Sequence, residues 1–231
     1  MKFCYCTLAL GARYVKLARV FLDSYVKHTH TQTQVIVVTD HPDVILDHPR
    51  VKQVQFNRAI KGAPISLKWL PYHHALKAGF ESICFVDVDS VVSEKYDEKS
   101  ILSDLREDGF GCNWYLTYKQ EFNNGSLGAR KLKQLIRSDD QYPIVCPVEC
   151  FMFLHGDRER SVKFINEWRA IQQELSSRGL YHREVCHEIG LAAKRVDLPV
   201  YKYRRGRNTY LSNFSHYGSP RGKVQMVERH G

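Results

Sequence analysis

Two carboxylates separated by one residue, Asp87-Val88-Asp89, close the apolar run Ile83-Cys84-Phe85-Val86. Residues i and i+2 of a strand project to the same side about 6–7 Å apart, so both carboxylates can share one divalent cation. Closing a buried strand with two acids is costly unless a positive charge compensates them. The motif alone is weak, and its plain alternative is an exposed acidic turn. A second set of metal-ligand types, Cys146-x3-Cys150 and His182-x3-Cys186, lacks the usual Cys-x2-Cys zinc spacing, and buried free thiols are its simpler reading.

The other chemical signal is charge. Lys+Arg number 34 against 25 Asp+Glu, a net +9. Residues 201–231 hold Lys202, Arg204, Arg205, Arg207, Arg221, Lys223 and Arg229 against Glu228 alone, which places +6 of the +9 in one short stretch. Tyr201, Tyr203, Tyr210, Phe214 and Tyr217 are interleaved with these cations. A solvated tail would waste the aromatics, whereas a surface meeting phosphates and sugar or base rings would use them. Arg130, Lys131, Lys133 and Arg137 add a second basic run.

The elements that must position these residues read as alternating strands and helices. Lys2–Leu8 is strand-like, and Arg13–Lys27 carries Tyr14, Leu17, Ala18, Phe21, Leu22 and Tyr25 on one helical face. Val35-Ile36-Val37-Val38 and Ile83–Val86 are continuously apolar, as parallel strands covered on both faces are. Val51–Phe56 is a further strand, and weaker strands fall near Gly109–Leu116, Glu149–His155 and Leu198–Tyr203. Helices are expected at Ser66–Gly79, where Pro71 requires a kink or a late start, at Arg158–Leu175 and at Arg183–Lys194. The pattern predicts an open, doubly wound, mostly parallel Rossmann-like α/β sheet flanked by helices. Its ligand belongs beyond the carboxyl ends of the strands, where Thr7–Gly11, Thr39-Asp40 and Asp87–Asp89 converge.

Composition bounds the class. Of the 231 residues 43% are hydrophobic and 26% charged, which excludes disorder and fibre, and no apolar run reaches the 18 residues of a membrane span. No linker-like tract interrupts residues 1–231, so one domain is expected. Residues 1–92 hold the strand ends expected to converge on a ligand, and 93–231 hold the basic segment. Phe3–Ala12 has a passing likeness to a secretory signal but reads better as a buried first strand. Seven cysteines, an odd number with Cys4 and Cys6 on a core strand, fit reduced thiols and a cytoplasmic protein.

Phe85-Val86-Asp87-Val88-Asp89-Ser90-Val91-Val92 resembles the acidic segment of GT-A fold, nucleotide-sugar-dependent glycosyltransferases, the glycogenin-like groups in particular. Other pieces follow in that family's order. Cys6–Gly11 through Tyr14 is similar to the opening loop over the nucleotide, and Val37-Val38-Thr39-Asp40 to the second strand and its base-contacting turn. Glu149–Ile171 resembles the middle strand and Trp-bearing helix, and Arg183–Ala192 the later acidic helix. Ser215-His216-Tyr217-Gly218-Ser219-Pro220-Arg221-Gly222-Lys223 is similar to the late His-Gly-Lys segment. The chain departs from the family in having Glu149-Cys150 before the middle strand and His187-Glu188 as the helix pair. It also has one residue fewer in the late motif.

The resemblance implies a metal-dependent glycosyltransferase acting on a nucleotide-sugar, with a UDP-sugar preferred. Asp87, Asp89 and His216 would ligate Mn²⁺ or Mg²⁺, the imidazole tilting the choice toward Mn²⁺. Thr7, Leu8, Ala9, Tyr14, Asp40, Asp87 and Val88 would line the donor site, with Lys68, Arg221 and Lys223 on the diphosphate. Glu188 and Glu149 are the two candidate catalytic acids: a general base if the enzyme inverts, a stabiliser of the oxocarbenium-like centre if it retains. Arg204, Arg205, Arg207, Arg130 and Lys131 would meet a nucleic-acid acceptor. By analogy with small phage transferases that decorate hydroxymethylated DNA bases, such a base is the expected acceptor and a host cytoplasm the setting. A bacterial surface glycan or lipid-linked sugar, nucleotidyl transfer, and a nucleic-acid-binding module without catalysis are the alternatives.

Overall fold

The computed structural model describes residues 2–57, 67–94, 96–103, 108–112, 151–179, 186–202, 214–216 and 220–230. Strand β1 spans Phe3–Ala9, β2 Gln34–Thr39, β3 Val51–Gln55, β4 Ser82–Val86, β5 Ser90–Val92, β6 Gly109–Cys112, β7 Phe151–His155, β8 Val200–Lys202 and β9 Phe214–His216. Helix α1 spans Ala12–His28, α2 Trp69–Lys77, α3 Glu98–Ser103, α4 Arg158–Ser177, α5 Cys186–Arg195 and α6 Pro220–His230.

Seven strands form one sheet in the order β3-β2-β1-β4-β7-β6-β8. β1 pairs in parallel with β2 and β4, β2 with β3, and β6 with β8, while β7 is antiparallel to both β4 and β6. Six strands therefore share one direction and β7 alone is reversed. The expected α/β architecture is present, as a mixed but mostly parallel sheet. A separate two-stranded ribbon pairs β5 with β9, Ser90 facing His216.

The pleat sorts the apolar runs onto two faces. Cys4, Cys6, Ile36, Val38, Ile83 and Phe85 join Tyr72, Leu76, Phe164, Trp168 and Ile189 in a core beneath α2, α4 and α5. Tyr5, Val35, Val37, Cys84 and Val86 join Phe21, Tyr25 and Met226 beneath α1 and α6. Double coverage explains why β2 and β4 are apolar at successive positions. Cys4, Cys6, Cys84 and Cys112 are buried free thiols, and burial pushes those of Cys4, Cys6 and Cys84 well up.

Helix boundaries follow local chemistry. α2 begins at Trp69 rather than Ser66, which leaves Pro71 in the first turn, where its missing N–H interrupts no helical bond. α4 starts on Asp157, whose side chain accepts the Arg160 N–H at 2.7 Å. The segments expected as strand at 113–116 and 149–150, and as helix at 183–185, lie outside the described residues. α6 and the β5–β9 ribbon arise where only a basic tail and a turn were expected.

Candidate functional site

The carboxyl ends of β1, β2 and β4 lie side by side, Leu8 opposite Val38 and Cys6 opposite Phe85 in register. β4 ends at Val86, so Asp87 is no longer in a strand and Val88-Asp89 form a turn before β5. This corrects the expectation of two carboxylates projecting from one strand. Val88 turns into the core under α1 and is 4% exposed.

The two acids take different partners. Asp87 pairs with Lys68 Nζ at 2.9 Å, with side-chain exposures of 19% and 8%. Asp89 pairs with Lys223 Nζ at 2.8 Å, with exposures of 8% and 16%. Lys68 reaches Asp87 because it immediately precedes α2, whose face covers Phe85, and its ammonium also lies 5.2 Å from the Phe85 ring centroid. Lys223 comes from α6, which packs on α1, and its ammonium lies 5.3 Å from the Tyr14 ring. The compensating charge that a buried and a half-buried acid require is thus supplied twice, once from each face of the sheet.

The expected nucleotide residues divide. Thr7 is fully buried and its hydroxyl donates to the Val86 carbonyl at 2.6 Å. Leu8 and Ala9 are buried in opposite core clusters. The three side chains are thus packed into the sheet and its two cores, at the strand end where the donor site is expected. Asp40 instead accepts the Gly11 N–H at 2.9 and 3.0 Å through its two oxygens, stapling the end of β2 to the loop after β1. Gly11 makes this turn at φ 87°, ψ 146°, a conformation natural only to glycine.

Glu188 is 2% exposed in the first turn of α5. Desolvation pushes its carboxyl up to about 8, against a smaller lowering from its own backbone N–H. Among the described residues its Oε2 has no hydrogen-bond partner. α5 feeds directly into β8, which is parallel to β6, so the helix runs back along the sheet and its first turn lies at the same edge as Asp87.

Among the described residues no group of three or more His, Cys, Asp or Glu side chains comes together. Asp87 and Asp89 are the described members of the expected metal set, and the β5–β9 register brings the backbone of residue 216 opposite Ser90, next to Asp89. Each of the two carboxylates has a lysine ammonium within 2.9 Å. Glu149, Arg130, Lys131, Arg204, Arg205 and Arg207, the segment 217–219 and the Cys146–Cys150 pair lie outside the described residues, as do the side chains of His216 and Arg221. The lysine partners were missed as partners. Both were assigned to phosphate alone, and only the cost of burying acids pointed the other way.

No protein-family model and no curated protein matches the chain. Among the described residues no helix is long and apolar enough to cross a membrane.

Proposed function

We propose that this chain is a metal-dependent glycosyltransferase of the GT-A type that moves a sugar from a nucleotide-sugar, preferably a UDP-sugar, to a hydroxyl acceptor. The supporting observation is the pair of acid–lysine contacts, Asp87–Lys68 and Asp89–Lys223, at the carboxyl edge of the sheet. A diphosphate with its cation presents alternating charges, and this edge offers carboxylates for the cation and ammonium groups for the phosphates. Asp87, Asp89 and His216 would hold Mn²⁺ or Mg²⁺, which when bound acts as a Lewis acid on the leaving diphosphate. Lys68 and Lys223 neutralise the charge that appears on the phosphates as the bond between the sugar and the diphosphate oxygen breaks. Gly11 and Asp40 shape the loop over the nucleotide, and Tyr14 holds Lys223 in place.

Glu188 is the described acid for the acceptor side. With its pKa pushed up to about 8 the carboxyl stays protonated near neutral pH, where it would donate a hydrogen bond to the sugar or acceptor, and it would take a proton from an attacking hydroxyl only as pH rises through about 8. The acceptor we favour is a hydroxymethylated base in DNA, supported by the net charge of +9 and its concentration beyond residue 200. A bacterial surface glycan or lipid-linked sugar is the alternative acceptor, and salt-dependent DNA binding separates the two. In this reading the protein works in a cytoplasm that holds both nucleotide-sugar and DNA.

The test is incubation with a panel of UDP-, GDP- and other activated sugars in the presence of Mn²⁺. Slow release of free nucleoside diphosphate is expected from one donor, and EDTA should stop it. Release that continues undiminished in EDTA would sink the metal mechanism. Release from no donor would leave a nucleic-acid-binding module.

A further inference from the structure

α2 begins at the candidate site with Lys68 and runs away from it, because the helix turns back to lead into β4. Along its outer side stand Trp69, His73, His74 and Lys77. Trp69 and His73 meet edge to face at 6.2 Å, and Arg169 of α4 lies over the Trp69 ring at 5.3 Å. On the other flank Lys52 of β3 belongs to the same sheet face, since it is in register with Ile36 of the core under α2. Lys52, Lys77 and Arg169 are exposed, while Trp69 and both histidines are half-buried.

Among the described residues this cluster has no acidic partner. The acids of α4 are all used elsewhere: Glu159 on Lys163 at 2.7 Å, Glu174 on Arg178 at 2.6 Å and Glu167 on Arg195 at 2.6 Å. Among the described residues no acid pairs with Lys52, Lys77 or Arg169. Burial lowers the pKa of His73, and Lys77 and Arg169 lower it further. His74 is lowered by burial, then by His73, Lys77 and Lys52. Among the described residues, every charged group acting on the two histidines is therefore basic. Like charges gathered from three elements oppose each other, and an external anion relieves that repulsion.

We infer that the face formed by Lys52, Trp69, His73, His74, Lys77 and Arg169 binds the phosphate backbone of a nucleic-acid duplex and leads it to the mouth of the candidate site. The cations are spread along a helix and a strand edge, which suits a line of phosphates rather than one small anion. The aromatic component lies half-buried under a guanidinium, which favours a charged strand over a lipid surface, where exposed apolar anchors are required. The inference rests on the acceptor half of the proposed function, and its test needs no donor.

The probe is a fluorescein-labelled DNA duplex of about 20 base pairs, with anisotropy read from about 50 to 200 mM salt. Each phosphate contact adds about 0.9 to the slope of log K against log salt, so three contacts account for an affinity loss of about 40-fold over that range. The variant Lys52→Gln/Lys77→Gln/Arg169→Gln should bind more weakly and show a slope flatter by about 2.7. The charge-matched control Lys163→Gln/Arg178→Gln/Arg195→Gln should keep the wild-type slope, because those cations already serve carboxylates. A thermal melt of each variant verifies that it is folded. Equal slopes for the two variants would overturn the inference, as would wild-type protein that fails to bind the duplex at about 50 mM salt. A variant that loses binding to phosphatidylserine vesicles while keeping the duplex would also overturn it. Nucleoside diphosphate release, measured in parallel, should be untouched by the triple variant. Its absence from wild type would count against the transferase reading and leave the duplex result standing.

Discussion

An ammonium that loses its carboxylate where water hardly reaches is more costly than one that never had a partner. Asp89→Ala would leave Lys223 in that state, at a cost of about 3–5 kcal/mol in stability, measured by urea unfolding. Adding Lys223→Met should recover most of the loss, because the pair is then replaced by apolar groups of similar bulk. Stability lost in Asp89→Ala and unrecovered in the double variant would mean that the pair is not what matters there. Glu188 carries the opposite kind of prediction. The folded chain holds its proton up to about pH 8, whereas the unfolded chain releases it near 4.5. Its contribution to stability is complete below about 4.5 and declines as pH rises toward 8, since there the unfolded state binds fewer protons than the folded one. Glu188→Gln should remove that decline, so the variant gains on wild type by up to a few kcal/mol between about pH 5 and pH 8. Parallel pH profiles for the two proteins would contradict the burial. At this scale the sequence disclosed Asp87, Asp89 and the idea that they need positive charge. It did not disclose which lysine serves which acid, because Lys68 and Lys223 reach the turn from opposite faces of a sheet whose layering is not local information.

The junctions decide how elements aim their side chains. Between β1 and α1, Gly11 takes a φ of 87° and gives its N–H to Asp40. A Cβ at that position meets no atom within 4 Å, so Gly11→Ala is penalised through the backbone alone. The expected loss is about 1–3 kcal/mol in a thermal or urea titration, and a neutral outcome would mean that the loop relaxes freely. Elements with strong periodicity were legible: α1, α4, β2 and β4 fall within a residue or two of their expected spans. Those that escaped are short or weakly patterned. α6 buries Met226 while Val224 and Val227 stay exposed, so its apolar residues trace no stripe and its basic residues look like a tail. β5 and β9 are three residues each and make sense only as partners.

Across the whole molecule, the division at residues 92/93 is one of sequence and not of folding. β4 lies in the middle of the sheet, with β1 on one side and β7 on the other, and its five residues Ser82–Val86 are matched along their full length by Phe151–His155. Residues 1–92 alone would expose that edge of β4 together with the apolar face that α4 and α5 cover. The fragment should show no cooperative thermal transition, whereas the full chain should melt in one step, both read by circular dichroism. A fragment that melts sharply would mean two domains. The class of fold was legible because buried parallel strands have an unmistakable composition. The reversed strand β7 was not, since an apolar run does not encode its direction.

Order of synthesis gives the Asp89–Lys223 contact a meaning in time. A ribosome exposes the sheet strands β1 to β4 early, and Lys223 follows only after the reversed strand β7 and the helices α4 and α5 have been made. Until then the turn holding Asp89 lacks this ion pair, so the carboxyl edge of the sheet gains its second compensating charge late. A stalled or prematurely terminated chain can thus bury most of its core while this edge still lacks the Asp89–Lys223 contact, and if the proposed transfer depends on that contact, loss of α6 should stop nucleoside diphosphate release without aggregation.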